Sequence, residues 1–307
     1  MVVAACSPAG RTAASGSASE GLIPPDPVTV VDATGRETTV DSVERIIPLD
    51  GDVAEVVFAL GMGDRVVATD LSATYPPEAD ALPEIGYQRA LSTEPIAAFE
   101  PTLILATEVA GPPEVLDELR QLGFPVVLIP NEATAQGAID KIRAIATTLG
   151  VPSAGEELIE DLQDAIAAAR VDGTGEPADE HRPRVLALYV RGSNTQLVLG
   201  ESSATRWIIE AAGGIDVSTE LGVDDPLPIS AEAIVAAAPD VIVLPEAGLE
   251  SVSGIDGLLS IPGLAGTPAG AHRRVLTYDD QLLLGNGPRV GALLSQLAAD
   301  LQTLSNT

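Results

Sequence analysis

The stretch Ser92-Thr93-Glu94-Pro95-Ile96-Ala97-Ala98-Phe99-Glu100-Pro101-Thr102-Leu103-Ile104-Leu105 returns 138 residues later. The second copy reads Ser230-Ala231-Glu232-Ala233-Ile234-Val235-Ala236-Ala237-Ala238-Pro239-Asp240-Val241-Ile242-Val243. In each, a small hydroxyl residue opens a short helix, a proline ends the connection, and an apolar run follows as a buried strand. A period this long marks two similar lobes, because solenoid repeats are only about 20–50 residues long. A looser echo pairs Val53–Gly61 with Arg206–Gly214, each an apolar helix closed by glycine.

The rest of the chain fits the same plan. Val28–Val31 and Thr38–Val40, around a turn at Ala33-Thr34-Gly35, predict a β-hairpin. Strands are expected at Ile46–Leu49, Val66–Ala68, Leu103–Ala106, Val126–Ile129, Arg184–Tyr189 and Val241–Leu244. Helices are expected at Val53–Leu60 and Pro113–Leu122. Strands alternating with helices predict parallel sheets covered on both faces. In Ser153–Arg170, Leu158, Ile159, Leu162, Ala165, Ile166 and Ala169 recur at helical spacing, and Ser153 with Glu156 reads as a capping box. The expectation is an α/β fold: two similar Rossmann-like lobes with parallel central sheets, joined by one long α-helix. Residues 1–26 form a leader remnant and linker, 27–150 the first lobe, 151–181 the connecting helix and loop, and 182–307 the second lobe. A lone rigid crossover leaves the lobes facing each other across a cleft, where ligands bind.

Composition narrows the partners. Acidic residues outnumber basic ones 45 to 16, for a net charge of −29, which repels nucleic acid and anionic lipid alike. Lys141 is the only lysine and aromatics are 3% of the chain. No apolar stretch approaches the roughly 20 residues that span a bilayer. Cys6, the only cysteine, follows Val3-Ala4-Ala5 and precedes a Ser/Ala/Gly-rich run. That context resembles a bacterial lipoprotein processing site, which implies a lipid anchor at Cys6 and an extracytoplasmic location. The charged and apolar regions that precede such a box are missing from its first residues.

Facing lobes, one connecting helix and this box together resemble the substrate-binding proteins of ABC importers for siderophores, haem and cobalamin, from Ile46 to Leu301. Two stretches resemble the haem branch: Leu82-Pro83-Glu84-Ile85-Gly86-Tyr87-Gln88-Arg89 and Asp279-Asp280-Gln281-Leu282-Leu283-Leu284-Gly285-Asn286-Gly287-Pro288-Arg289. The resemblance implies that Tyr87 is the axial ligand to haem iron, haem being transported cargo and not a catalytic cofactor. A phenolate is a hard anionic donor suited to ferric iron, and Arg89 is placed to favour its charge or to pair with a propionate. Tyr189 and Arg191 are further cleft or propionate candidates, with Arg289 and Tyr278 weaker ones; for each, a core tyrosine or solvated arginine is at least an equal reading. The counterpart of Tyr87-Gln88-Arg89 in the second repeat is Asp225-Pro226-Leu227, with no comparable ligand. Haem-branch members that carry a ligand after the strand at Val241–Leu244 differ from the Pro245-Glu246-Ala247 found here, so a sixth iron ligand is not assigned. Glu94 and Glu232 stabilise helix starts by about 0.3–1 kcal/mol each; the resemblance also makes them docking points for the permease. The expected partners are an ABC permease with its ATPase and haem or a haem-carrying protein, with the receptor monomeric.

Enzyme readings find little support. Gly61-Met62-Gly63 and Gly285-Asn286-Gly287 do not complete a dinucleotide fingerprint. The two histidines, His181 and His272, lie near no nucleophile and are too few for a zinc or manganese site. The same fold carrying a ferric siderophore or a corrinoid is the main alternative, with Arg89, Arg191 and Arg289 holding an anionic complex.

Overall fold

The computed structural model describes residues 27–172, 182–228 and 230–305; Cys6 and His181 lie outside them. The chain opens with an antiparallel hairpin of β1 (Val28–Val31) and β2 (Glu37–Val40), with Val28 opposite Val40. Asp32 makes the turn: its Oδ1 accepts the amides of Thr34 at 2.9 Å and Arg36 at 3.0 Å. Then β3 (Ile46–Pro48), β4 (Leu103–Ala106) and β5 (Val126–Leu128) form a parallel sheet in that order, Ile46 beside Leu103 and Ile104 beside Val126. Every residue of β3 and β4 is buried, as a sheet covered on both faces requires.

Helices α1 (Gly51–Ala59), α2 (Pro77–Asp80), α3 (Thr93–Ala97), α4 (Pro113–Gln121) and α5 (Ala135–Thr148) complete this lobe. The strand expected at Val66–Ala68 does not form. Val66 makes a single parallel bridge to Ile46. Beyond it the backbone is divided, the Val67 amide going to Ile46 and the Thr69 amide to the Pro83 carbonyl, both at 3.0 Å. Pairing that switches partners after two residues cannot extend a ladder.

The connecting helix α6 runs Pro152–Asp172. Ser153 is already inside it, so the expected capping box is absent; proline at the first position supplies a preset φ instead. Glu156 turns outward to Arg143 of α5, at 2.8 Å.

The second lobe follows as β6 (Arg184–Arg191), β7 (Thr195–Val198), α7 (Ala204–Ala211), β8 (Ile215–Asp216), α8 (Ala231–Ala237), β9 (Val241–Pro245), α9 (Glu246–Ser251), α10 (Ile255–Leu259), α11 (Pro268–His272), β10 (Val275–Tyr278), α12 (Asp280–Leu284) and α13 (Val290–Ser305). Its sheet runs β10-β9-β6-β7, with β8 also on β6. The pairs β10–β9, β9–β6 and β6–β8 are parallel. Strand β7 is antiparallel, because β6 is long enough to turn back at Gly192, φ 59°, as a hairpin. The centre is parallel as expected and one edge is not.

The repeat survives in backbone detail. Glu100 and Ala238, each just before the conserved-offset proline, both adopt the left-handed conformation, at φ 46° and 43°. Helices α3 and α8 thus leave through the same sharp turn into β4 and β9. Ile47, Leu49 and Ile104 anchor a core on one face of the first sheet, and Leu186, Ile242 and Leu244 anchor another in the second lobe. A third core is continuous across both lobes, running through Ile142 of α5, Ile159 and Leu162 of α6, and Leu293 and Leu297 of α13.

Candidate functional site in the interlobe cleft

Parallel strands present ligand groups beyond their carboxyl ends, and the Tyr87 loop is bonded to Gly111, beyond the end of β4. Tyr87 sits on a loop held from two sides. Ile85 and Leu71 donate to Thr69 and Gly86 carbonyls at 2.9 and 3.0 Å, while Gly111 donates to Gln88 and accepts from Leu91, each at 2.8 Å. Gly86, at φ 107°, makes the bend that only glycine adopts easily. With the backbone pinned, the Tyr87 ring is left 42% exposed. Arg89 is exposed on the same loop, with no carboxylate within ion-pair distance among the described residues.

On the second lobe, Tyr189 and Arg191 are two apart on β6 and so share a face. The Arg191 guanidinium lies 4.6 Å from the Tyr189 ring centroid and pairs with Asp280. Asp280 also accepts the Ala247 amide at 3.1 Å, which ties the ends of β6 and β9 and the start of α12 together. Arg289 is committed differently. Its guanidinium stacks 3.5 Å from the Tyr75 ring centroid and donates to Glu55 at 2.9 Å. Tyr278 is a core residue: it is 3% exposed and donates to Asp300 at 2.7 Å, and burial with that carboxylate pushes its pKa up. Glu94 and Glu232 are exposed in the first turns of α3 and α8.

The structure adds a polar seam between the lobes that the sequence did not reveal. Gln281 of α12 donates to the Gly51 carbonyl at 2.9 Å and to Glu55 at 3.1 Å, and accepts the Tyr75 amide at 2.8 Å. Asn286 donates to the carbonyls of Glu132 at 3.0 Å and Thr134 at 2.9 Å. The second stretch singled out in the sequence is therefore a latch onto the first lobe. Beneath it lie four buried or nearly buried carboxylates, Asp50, Asp52, Glu55 and Asp70, with the wholly buried Lys141 paired to Asp52. Burial and then the Asp52 charge raise Asp50 well above the usual carboxylate range. Burial pushes Asp70 up to about 6, against opposing hydrogen bonds from Ser72. Burial raises Glu55 too, partly offset by Arg289. The only available sequence signals were Asp50-Gly51-Asp52 before an apolar helix and the solitary lysine.

Large apolar side chains are exposed around the same seam. Leu71, Tyr75, Tyr87 and Leu284 all lie on segments bonded to one another there; Leu227, the repeat counterpart of Arg89, is exposed on the second lobe beside Val198. Among the described residues no group of three or more His, Cys, Asp or Glu is arranged to hold a bare metal ion.

Two α/β lobes joined by a helix and a polar seam, with aromatic and aliphatic side chains exposed beside that seam, define a two-lobed ligand receptor. The family model described as periplasmic binding protein matches residues 46–282, and the chain belongs to that family, whose members are extracytoplasmic binding proteins. Among solved structures it is similar to the periplasmic heme-binding protein RhuT from Roseiflexus sp. RS-1 in apo form, at 45% identity and a TM-score of 0.81, over 86% of this chain and 100% of that one. It is similar to the heme binding protein HmuT at 34% identity and a TM-score of 0.84, over 91% of each chain. Among curated proteins it is similar to the vitamin B12-binding protein of Pectobacterium carotovorum subsp. carotovorum (strain PC1), 26% identical over 267 residues, 85% of this chain and 90% of that protein.

Proposed function

We propose that this protein binds haem in the interlobe cleft and hands it to an ABC importer. The observation that carries the reading is Tyr87: an exposed phenol on a rigidly bonded loop, at the carboxyl edge of the first lobe's sheet. Its oxygen would coordinate ferric iron, with Arg89 on the same loop to stabilise the phenolate or pair with a propionate. Leu71, Tyr75, Leu227 and Leu284 suit a flat, largely apolar macrocycle. Tyr189, with Arg191 over its ring, is offered to the opposite face or to the propionates. Arg289 serves mainly to hold Tyr75 and the latch. The 45% identity to a heme-binding protein supports this over the corrinoid reading, which rests on relatives near 26%.

The remaining assignments follow the same reading. Residues 27–150 and 182–307 act as the two lobes, 151–181 as the connector, and 1–26 as a tether lipidated at Cys6. Glu94 and Glu232 dock on the permease, and the receptor works as a monomer that performs no chemistry on its cargo. Hemin titration tests the core claim: a Soret shift is expected for the wild type, and Tyr87→Phe should lose the phenolate-to-iron charge-transfer band and bind at least about tenfold more weakly. An unshifted Soret band, or identical spectra for the two proteins, refutes the haem assignment.

A further inference from the structure

The segment 69–76 links the Tyr87 loop to the latch between the lobes. Asp70 is 1% exposed, and its carboxylate accepts the Ser72 amide at 2.9 Å and the Ser72 hydroxyl at 3.0 Å. The next residue, Leu71, donates its amide to the Gly86 carbonyl at 3.0 Å, one residue before Tyr87. Ser72 Oγ in turn accepts the Gly51 amide at 2.8 Å, at the start of α1. Gly51 is the residue whose carbonyl receives Gln281 from the other lobe. A Cβ on Gly51 would stand 2.3 Å from the Ser72 carbonyl oxygen, so the two backbones are in direct contact. Gln281, Gly51, Ser72 and Asp70 thus form one chain, buried at its ends and half-buried at Ser72, which adjoins the Tyr87 loop through Leu71.

Keeping a carboxylate this buried is costly unless its hydrogen bonds are needed. Asp52 faces Asp70 as a like charge, and Lys141 is paired with Asp52 rather than with Asp70. Hydrophobic packing would be the cheaper way to fill the space. We infer that Asp70 is a positioning residue for Tyr87: by closing the 70–72 turn, whose Leu71 amide holds the Gly86 carbonyl, it fixes the loop that aims the phenol, and through Ser72 and Gly51 it couples that aim to the lobe–lobe latch.

This inference rests on Tyr87 being the iron ligand, and the test separates the two. With the full chain and hemin as probe, Asp70→Ala should weaken binding about 10–100-fold, the range for groups that orient a metal ligand. It should also diminish the phenolate-to-iron band, and adding Tyr87→Phe should produce little further loss. Ser72→Ala, which removes one link and leaves the carboxylate, should show the same spectral change to a lesser degree; it decides the matter if Asp70→Ala does not fold. Asp70→Asn, which retains one acceptor oxygen, should recover part of the band. Wild-type spectra and affinity in Asp70→Ala and Ser72→Ala overturn the inference. So do losses that simply add to those of Tyr87→Phe with the band intact. A Tyr87→Phe protein that binds hemin like the wild type overturns the ligand assignment instead.

Discussion

Lys141 shows what a single residue contributes in a protein so acidic. It is fully buried and paired with Asp52, next to Asp50, Glu55 and Asp70. Removing the ammonium would leave Asp52 charged, desolvated and repelled by its neighbours. Lys141→Met is expected to lower unfolding free energy by about 3–5 kcal/mol, as broken buried pairs do. Adding Asp52→Leu should restore much of the loss, because the uncompensated charge goes with it. Denaturant unfolding of both variants measures this; equal stability of the wild type and Lys141→Met would show that the pair is dispensable. The solitary lysine was visible in the sequence, but its place was not, since nothing local distinguishes a buried lysine from a solvated one.

At the scale of elements, α6 is less a free strut than the middle layer of a three-helix stack. A Cβ on Gly155 would lie 2.4 Å from the Cβ of Ala146 in α5, and one on Gly291 of α13 would lie 2.6 Å from Ala165 of α6. Glycine is required at both crossings so that the helix axes can approach. Gly291→Val should therefore cost about 1–3 kcal/mol through overpacking, and Ala165→Gly in the same chain should return part of it. Thermal unfolding gives the readout, and an unchanged midpoint for Gly291→Val would contradict so close a crossing. The periodicity of Leu158, Ile159, Leu162 and Ile166 foretold the helix. Its starting point was misjudged because Pro152 opens the first turn, so Ser153 has no capping role.

The whole molecule is joined twice. Besides α6, the latch of Gln281, Asn286 and Arg289 reaches from α12 and the loop after it into the first lobe. Two connections resist hinge opening more than one helix does, so ligand capture should need only small lobe motion. On the proposed reading, that frame would hold the exposed Glu94 and Glu232, one on each lobe, at a fixed separation for docking to a two-half permease. Glu94→Ala with Glu232→Ala is expected to abolish uptake in cells while hemin affinity in solution stays at the wild-type value. Normal uptake by the double variant would remove these residues from the docking surface.

The sequence alone determined the two-lobe α/β plan, since hydrophobic period, capping residues and the 138-residue repeat are local or self-referential signals. It also placed Tyr87 on a loop, because Gly86 and the helix start at Ser92 mark the bend, although Ser92 makes no side-chain cap as its repeat counterpart Ser230 does. Tertiary structure decided which polar groups meet: Gln281 with Gly51 lies 230 residues away, and Lys141 with Asp52 lies 89 away. It decided as well that Val66–Ala68 is not a strand and that Tyr278 is core. Hydrogen bonds and ion pairs act over a few ångströms, and only the folded chain brings such distant partners within that reach.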